Sequence, residues 1–248
     1  MNEFSEVAPF MPDPFRILWR EKVSSTNDEL QKLAESGMGE GLILISEEQT
    51  AGRGRRGAEW FCGKGDGLAF SVLLKPVAAK AFWYRLALTA GLAVAEALES
   101  YVPLAEIKWP NDVLVNNKKI AGILVEAGSS YVVLGIGINV NTMNFPDGLN
   151  ATSLGKESGN QVSRADVLLK IVQRLGNYVN RIESDFESIL EGIRERCAMV
   201  DCEVTMKSAG NQKNGILRGI GNEGELLLDV KGKIERIYQA DELRLVEI

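Results

Sequence analysis

The sequence predicts an α+β protein in two parts: a mixed or antiparallel sheet flanked by helices over residues 15–199, and a small β-barrel over residues 200–248. In the first part, apolar runs of strand length alternate with amphipathic or apolar stretches of helical length. From residue 200 the chain changes to short β segments separated by glycines. A chain of 248 residues can bury one large core and carry a small barrel that docks on it.

The elements of the first part follow in order along the chain. Residues 1–14 contain three prolines and show no periodicity, so we expect a loosely held arm. Capping residues at 24–27 begin a helix that ends at Gly37. A long, mostly apolar helix is predicted over 78–100. The predicted strands are 17–19, 42–45, 68–74, 106–108, 113–115, 120–125 and 131–140.

A tight hairpin is predicted at Asn116-Asn117, because asparagine tolerates positive φ. Apolar residues at helical spacing predict two further helices, over 164–182 and 186–199. The C-terminal strands are predicted at 203–206, 215–218, 225–230, 234–238 and 243–246. We interpret the carboxylates of Asp241 and Glu242 as part of a solvated face.

Composition excludes several kinds of chemistry. The chain contains no histidine, so Ser-His-Asp catalysis, Cys-His catalysis and a zinc site built on imidazole are impossible. Three irregularly spaced cysteines predict no disulfide framework and suit a reducing cytosol. The net charge of −6 argues against general affinity for nucleic acids or membrane surfaces. Because no secretory signal is recognised and the apolar stretch 86–98 is too short to span a bilayer, we expect a cytoplasmic protein.

The loop Gly52-Arg53-Gly54-Arg55-Arg56-Gly57 predicts a phosphate site. Glycine allows the main chain to approach a ligand closely, and guanidinium groups bind phosphoryl oxygens in a bidentate manner. The spacing also matches the G-x-G-x-x-G dinucleotide motif. That interpretation is disfavoured, because a strand and not a helix follows the loop. A solvated basic turn is the other alternative.

Four further motifs accompany the loop: Ser25-Thr26-Asn27, Gln49-Thr50-Ala51, Lys108-Trp109-Pro110-Asn111-Asp112, and the pair 119–124 and 135–141. In this order they resemble the catalytic domain of bacterial biotin protein ligases. The resemblance runs from about residue 19 to 154 and resumes at 215–220 and 224–228. It implies a class II synthetase-like biotin/lipoate ligase catalytic domain with a C-terminal SH3-like barrel. It also implies the short class without a DNA-binding domain.

The resemblance further implies an activity. Biotin would react with ATP to give biotinyl-5′-adenylate, which one lysine of a biotin carboxyl carrier protein would then capture. The expected ligands are therefore biotin, ATP and Mg²⁺, and the expected partner is the carrier protein, with no nucleic acid or membrane. The enzyme would be a monomer or a homodimer. Because an anionic nucleophile must approach a polyanion, catalysis depends mainly on positioning and charge neutralisation, which needs no histidine.

The resemblance assigns catalytic roles to four residues. Lys119, Arg55 and Arg56 would neutralise charge at the biotin carboxylate and the α-phosphate, and we expect them to converge with Arg53 on one spot. Asp112 would bind the metal and help to deprotonate the acceptor lysine. From spacing alone, Lys119 is equally compatible with a surface lysine in a hairpin.

The remaining site residues would bind the substrates. The ureido ring of biotin would be read by Ser25, Thr26, Asn27 and Gln49, although such residues are most often only a helix cap. The phosphates would be bound by Gly52, Arg53, Gly54 and Asn111. The bicyclic ring would lie against Gly122, Leu124 and Gly135, which are otherwise ordinary sheet residues. Adenine would be bound by Trp60 and Asn139.

Two residues depart from the family pattern. Ala58 stands where a further arginine is common, so one phosphate-binding cation is missing, and Glu59 follows it. Ala69 stands where some relatives have an aromatic residue, so the biotin pocket is expected to be roomier. Two other functions stay open: a lipoate or octanoate ligase or transferase of the same fold, and a non-catalytic module that binds biotin or a nucleotide.

Overall fold

The computed structural model describes residues 2–60, 62–208 and 210–246. Within these residues a seven-stranded sheet has the order β1-β2-β3-β7-β6-β5-β4. Its strands are β1 Arg16–Val23, β2 Leu42–Gln49, β3 Gly67–Leu74, β4 Glu106–Lys108, β5 Asp112–Val115, β6 Lys118–Ala127 and β7 Val132–Asn139. β1 and β2 run parallel, and the other neighbouring pairs are antiparallel. The predicted mixed sheet is therefore confirmed.

Helices cover both faces of this sheet. They are α1 Thr26–Glu35, α2 Leu86–Leu98, α3 Leu154–Ser158, α4 Arg164–Tyr178 and α5 Phe186–Glu195. Successive side chains of a strand point to opposite faces. Leu42 and Leu44 accordingly pack beneath α1, whereas Ile43 and Ile45 join the main core, which also contains residues of α2, α4 and α5.

The long helix predicted over 78–100 consists of two segments. A 3₁₀ segment, Lys80–Arg85, precedes α2. The combined run Lys80–Leu98 has 19 residues and is long and apolar enough to cross a membrane by length and composition alone. Of the 18-residue window that meets this test, 72% is buried inside the protein. Its apolar side chains therefore serve as core, and the apolar stretch 86–98 coincides with the 13 residues of α2.

The C-terminal strands form a second, antiparallel sheet with the order β11-β10-β9-β8-β12. They are β8 Glu203–Ser208, β9 Asn211–Ile220, β10 Leu226–Val230, β11 Lys233–Ile237 and β12 Glu242–Leu245. Each contains one predicted β segment or most of it, as expected for a small SH3-like domain. Residues 247 and 248, the end of the predicted barrel, lie outside the described residues. The sheet docks on the larger part, where Trp109 Nε1 donates to Gly224 O at 2.9 Å and Arg194 Nε donates to Ile220 O at 3.0 Å.

The N-terminal arm is held firmly, so the expectation of a loose arm was wrong. Phe4 is fully buried, and the Glu3 carboxylate accepts hydrogen bonds from Arg164. Arg164 is itself buried and also donates to both carboxylate oxygens of Glu47 at 2.9 Å. A buried guanidinium needs paired carboxylates, and the arm supplies one of them. Burial alone would raise the pKa of Glu47, but the hydrogen bond and charge of Arg164 outweigh it and hold that pKa below its ordinary value.

Candidate active site

A trough of small residues crosses three central strands on the face that α1 covers. In one row Ser71 of β3 and Leu124 of β6 flank Gly135 of β7, and in the next row Ala69 and Gly122 flank Gly137. Because Ser71, Ala69 and the three glycines carry little side-chain volume, the sheet leaves room beside the N-terminus of α1. The predicted site glycines therefore act as the floor of a cavity.

This cavity has a volume of about 180 Å³ and lies between the sheet, the N-terminus of α1 and the loop 52–60. Most of the predicted site residues line it. They are Ser25, Thr26, Asn27, Gln49, Arg53, Gly54, Arg55, Trp60, Asn111, Asp112, Lys119, Gly122, Leu124 and Gly135. The predicted residues Gly52, Arg56 and Asn139 do not belong to the described lining.

A chain of hydrogen-bonded side chains borders the α1 end of the cavity. Thr26 donates to Gln49 Oε1 from its backbone N–H at 2.8 Å, and its hydroxyl oxygen lies 3.1 Å from the same atom. The buried Ser71 hydroxyl lies 2.7 Å from Thr26 Oγ1 and 2.5 Å from Asn27 Oδ1. Asn27 Nδ2 donates to Glu126 Oε2 at 2.7 Å. The carbonyl oxygen of Gln49 is thus occupied, and its Nε2 keeps two N–H donors that make no hydrogen bond to a described residue.

Ser25 serves as the N-cap of α1, where its hydroxyl accepts a hydrogen bond of 3.5 Å from Asp28 N. Helix capping is the alternative role that the sequence left open for Ser25. Ser25 is also buried against the cavity, so the cap and the cavity wall are the same residue.

The arginine loop closes on itself across the cavity. Trp60 N donates to Gly52 O at 2.9 Å, and a Cβ on Gly52 would lie 2.7 Å from Trp60 O. Gly52 is therefore required where the two ends of the loop meet. Arg53 turns to the rim, where Nη2 donates to Asp28 Oδ1 at 2.5 Å and lies 3.2 Å from Glu126 Oε1. The expected convergence of Arg53 on the other cations is not found.

The two following arginines contact residues 240 and 241, which connect β11 to β12 of the C-terminal sheet. Arg55 donates to Asn111 Oδ1 at 3.1 Å and to Ala240 O at 3.0 Å. Burial, together with the neighbouring Arg56, lowers the pKa of Arg55 from its ordinary value. Arg56 adopts a left-handed conformation with φ 57° and pairs with Asp241. Arg56 thus also departs from the expected convergence, and Asp241, predicted to lie on a solvated face, lines the cavity instead.

Lys119 lies at the same end of the cavity as Arg55. Its Nζ is 2.7 Å from Asp112 Oδ1 and 5.6 Å from the centre of the Trp60 ring. Lys108 is the strand partner of Asp112, and burial lowers the pKa of Lys108 while Asp112 opposes the shift. Asp112 therefore lies beside two ammonium groups. Of the four cations expected to converge, Lys119 and Arg55 lie together, Arg53 lines the cavity where it pairs with Asp28 and Glu126, and Arg56 is not part of the described lining.

The indole of Trp60 lies across the trough. A Cβ on Gly137 would come within 2.2 Å of Trp60 Cε2, and one on Gly122 would be 3.2 Å from Cζ3. Trp60 Nε1 is buried without a hydrogen bond to any residue that the structure describes. The ring is thus seated on glycine, and its contact with adenine stays a prediction.

Asn139 is placed differently from the expectation. Its Nδ2 donates to Thr152 O at 3.0 Å and lies 3.4 Å from Lys119 O. These contacts hold the end of β7 to the segment around residue 152. In this arrangement the amide N–H groups bind backbone, and the contact with adenine stays a prediction.

Sequence reasoning missed four residues of the site: Ser71, Glu126, Asp28 and Asp241. Ser71 had a signal, because it is the one polar residue in the apolar run 68–74. The signal for Glu126 was weaker: it follows Gly122 and Leu124 at every second position of β6, and such positions lie on the same face of a strand. Asp28 and Asp241 gave no local signal, because long-range contacts bring them to the loop.

Comparison with known proteins agrees with this geometry. The sequence model of the biotin/lipoate A/B protein ligase family matches residues 19–142. A biotin--[acetyl-CoA-carboxylase] ligase of Mycobacterium tuberculosis is 34% identical over 242 residues, which cover 92% of this chain and 90% of the relative. The bifunctional ligase/repressor BirA of Bacillus subtilis is 33% identical over 91% of this chain and 73% of its own length.

A similar fold occurs in a solved structure, the biotin protein ligase from Aquifex aeolicus in complex with biotin and ATP. It superposes with a TM-score of 0.84 at 32% identity, covering 93% of this chain and 99% of that one. Together with the family match, these similarities identify the chain as a member of the biotin/lipoate A/B protein ligase family.

Proposed function

We propose that this protein is a biotin–protein ligase, which activates biotin with ATP as biotinyl-5′-adenylate and transfers the biotinyl group to a lysine of biotin carboxyl carrier protein. The observation that carries the proposal is the polarity of the cavity. At the α1 end Thr26 and Gln49 offer uncharged donors and acceptors, and the Arg53 guanidinium is paired with two carboxylates, whereas Arg55 and Lys119 lie at the other end. Biotin has the same polarity, with a neutral ureido ring at one end and a carboxylate at the other.

The two cations account for the first step. The biotin carboxylate oxygen attacks the α-phosphorus of ATP, and pyrophosphate leaves. Both reactants are anions, so the barrier includes their mutual repulsion. A cation about 4 Å from each, at an effective dielectric constant near 20, offsets roughly 4 kcal/mol per contact. Lys119, which here pairs with Asp112 at 2.7 Å, lines the same cavity as Arg55 and would supply one of these contacts.

The loop 52–60 accounts for the protection of the product. An acyl adenylate is a mixed anhydride that water hydrolyses, so the site must exclude water until the acceptor arrives. Arg53 attaches one side of the loop to the rim, and Arg55 and Arg56 attach the other side to the C-terminal sheet. We therefore assign residues 15–199 to the catalytic domain and residues 200–248 to a domain that holds its loop.

The donor set suits a magnesium ion that is shared with substrate. Among the described residues, no group of three or more acidic or cysteine side chains could enclose a metal. Mg²⁺ commonly takes one or two carboxylates together with phosphate oxygens. The buried Asp112 Oδ1 has an ion pair but no hydrogen bond to a described residue, so it keeps lone pairs for a cation. Asp112 and Asn111 would hold the ion, which would neutralise charge on the phosphates.

The second step needs an unprotonated amine. The acceptor lysine nitrogen attacks the carbonyl carbon of the adenylate, AMP leaves, and the amine loses a proton. Asp112 is the carboxylate beside Lys119 at the cationic end, which supports it as the proton acceptor. The thiols of Cys62, Cys197 and Cys202 are free, which supports placing the enzyme in the reducing cytosol.

Exchange of labelled pyrophosphate into ATP tests the proposal, with biotin, lipoate or octanoate added separately. We expect exchange with biotin and none with the two acyl acids, whose flexible chains lack a ureido group. Exchange that requires lipoate or octanoate would identify the other branch of the family. No exchange with any of the three acids would leave a binding protein and overturn the assignment.

A further inference from the structure

Glu126 lies outside the cavity lining, yet its carboxylate contacts two elements that form the cavity. It is the last inward-facing residue of β6 beyond Gly122 and Leu124. Glu126 Oε2 accepts a hydrogen bond from Asn27 Nδ2 at 2.7 Å, and Arg53 Nη2 lies 3.2 Å from Oε1 and 3.3 Å from Oε2. One side chain thus joins the start of α1 to the arginine loop.

The contact with Asn27 determines which way its amide points. A carboxylate can only accept hydrogen bonds, so the NH₂ group of Asn27 must face Glu126. The oxygen of Asn27 then faces Ser71, whose hydroxyl lies 2.5 Å away. Asn27 is buried, and a Cβ on Gly135 would lie 2.3 Å from Asn27 Oδ1, so the amide is also confined by the floor of the trough.

The orientation of the Asn27 amide determines the direction of the hydrogen bonds that follow it. When the Ser71 hydroxyl donates to Asn27 Oδ1, its oxygen is left to accept from Thr26. The Thr26 backbone N–H holds Gln49 Oε1, so the Gln49 amide donors point away from Thr26. The hydrogen bonds from Glu126 through Asn27 and Ser71 to the Thr26 hydroxyl therefore have one direction, and the Thr26 backbone holds Gln49 next to them.

The contact with Arg53 attaches the loop over the same end of the cavity. Arg53 lies between Asp28 at 2.5 Å and Glu126, so two carboxylates share one guanidinium. The side chains of Arg53 and Glu126 are 40% and 29% exposed, and ion pairs at such exposure contribute little to global stability. Their arrangement bears on the position of the loop more than on the fold.

We propose that Glu126 is a positioning residue that sets selectivity for the ureido group of biotin, by ordering the Asn27–Ser71–Thr26–Gln49 chain and by anchoring Arg53. The inference rests on biotin being the ligand of this cavity. Glu126 itself does not touch biotin. Its chemistry requires a carboxylate, because an amide at this position could donate as readily as accept and would leave the orientation of Asn27 undetermined.

Calorimetric binding of three ligands to the full chain tests this inference: biotin, its thiocarbonyl analogue, and desthiobiotin, which keeps the ureido group but lacks sulfur. In Glu126→Gln we expect biotin to bind roughly tenfold more weakly, the loss typical of one charge-assisted hydrogen bond. Its preference over the thiocarbonyl analogue should fall by a similar factor. The ratio of biotin to desthiobiotin affinity should stay within about twofold of the parent, because both present the same ureido group.

Glu99→Gln is the matched control. Glu99 is 24% exposed and accepts two hydrogen bonds from Arg196, at 2.9 and 3.0 Å, but has no contact with the cavity. We expect parental affinities for all three ligands. If Glu126→Gln binds all three ligands like the parent, or weakens all three equally, Glu126 does not set ureido selectivity and the inference is wrong.

Arg53→Gln separates the two contacts of Glu126. It removes the attachment of the loop and leaves the contact with Asn27, so biotin should weaken while its preference over the thiocarbonyl analogue is kept. A parent that binds biotin but does not catalyse exchange would refute the proposed function and still allow this inference to be decided by binding. A parent that fails to bind biotin would overturn both.

Discussion

Replacing Gly135 by alanine is a severe test of the site, because it adds a single methyl group beneath Asn27. The new Cβ would lie 2.3 Å from Asn27 Oδ1, 3.0 Å from Cγ and 3.1 Å from Nδ2. An ordinary contact begins at about 3.4 Å, so Asn27 must move by about 1 Å. It cannot do so freely, since Ser71 and Glu126 hold its two ends at 2.5 and 2.7 Å.

The cost follows from those two hydrogen bonds. A displacement of about 1 Å takes both beyond hydrogen-bond distance while the amide stays buried. Each lost bond to a buried polar group costs about 1–3 kcal/mol, so Gly135→Ala should lower the free energy of unfolding by about 3 kcal/mol. Because the same amide borders the biotin site, biotin affinity should fall at least tenfold.

Urea denaturation gives the first quantity and calorimetry gives the second. Gly91→Ala is a matched control, because Gly91 is also buried but its added Cβ would meet Ile107 Cγ2 at an ordinary 3.6 Å. Since Gly91 lies inside α2, that control should gain about 0.5–1 kcal/mol. If the free energy of unfolding of Gly135→Ala lies within about 1 kcal/mol of that of the parent and biotin binds equally well, the arrangement of Asn27 described above is incorrect.

Three further predictions concern other parts of the molecule. Glu47→Gln should cost about 2 kcal/mol at pH 7, because Arg164 loses a charged partner. A carboxylate whose pKa is lowered by folding stabilises the fold at pH above its unfolded pKa of about 4.5, and this stabilisation is lost as pH falls through the folded pKa. Urea denaturation at acidic pH should therefore show a smaller difference in unfolding free energy between parent and Glu47→Gln. A difference that does not change with pH would refute the pairing. Lys119→Ala should abolish biotin-dependent pyrophosphate exchange with an unchanged urea midpoint, whereas normal exchange would remove Lys119 from the mechanism. Alkylation of the native protein at pH 8 should modify the exposed Cys202 well before Cys62, because burial raises the pKa of Cys62 to about 11. Peptide mass analysis measures the two alkylation rates, and equal rates would contradict the burial of Cys62.

Local pattern was sufficient for most of the secondary structure. Alternation and turn residues place strands without any knowledge of their partners, and Asn116 and Asn117 adopt φ of 51° and 60° as the hairpin requires. The prediction of a single helix over 78–100 was less accurate. Its first segment is 3₁₀, and apolar content alone does not distinguish that from an α-helix.

Membership of the cavity was largely predictable because motif residues lie at strand ends and at the start of α1, positions that one sheet brings together. The partners of the charged groups were not predictable. Arg53 and Arg56 belong to the same six-residue loop as Arg55, yet Arg53 pairs with Asp28 and Glu126, and Arg56 pairs with Asp241. Charged side chains pair with the opposite charges that lie nearest in space, and the docking of the second sheet sets the distance between Arg56 and Asp241.

The sequence by itself indicated the kind of chemistry, because a loop rich in arginine and glycine favours binding of anionic groups and the absence of histidine excludes imidazole catalysis. It also determined which faces of the strands are apolar. Tertiary structure alone decided which carboxylate or carbonyl each arginine of the loop binds, and it decided that the N-terminal arm is held through Glu3 and Arg164. The physical reason is that alternation and propensity act between near neighbours, whereas the cost of an unpaired buried charge is met by whichever side chain the folded chain brings within reach.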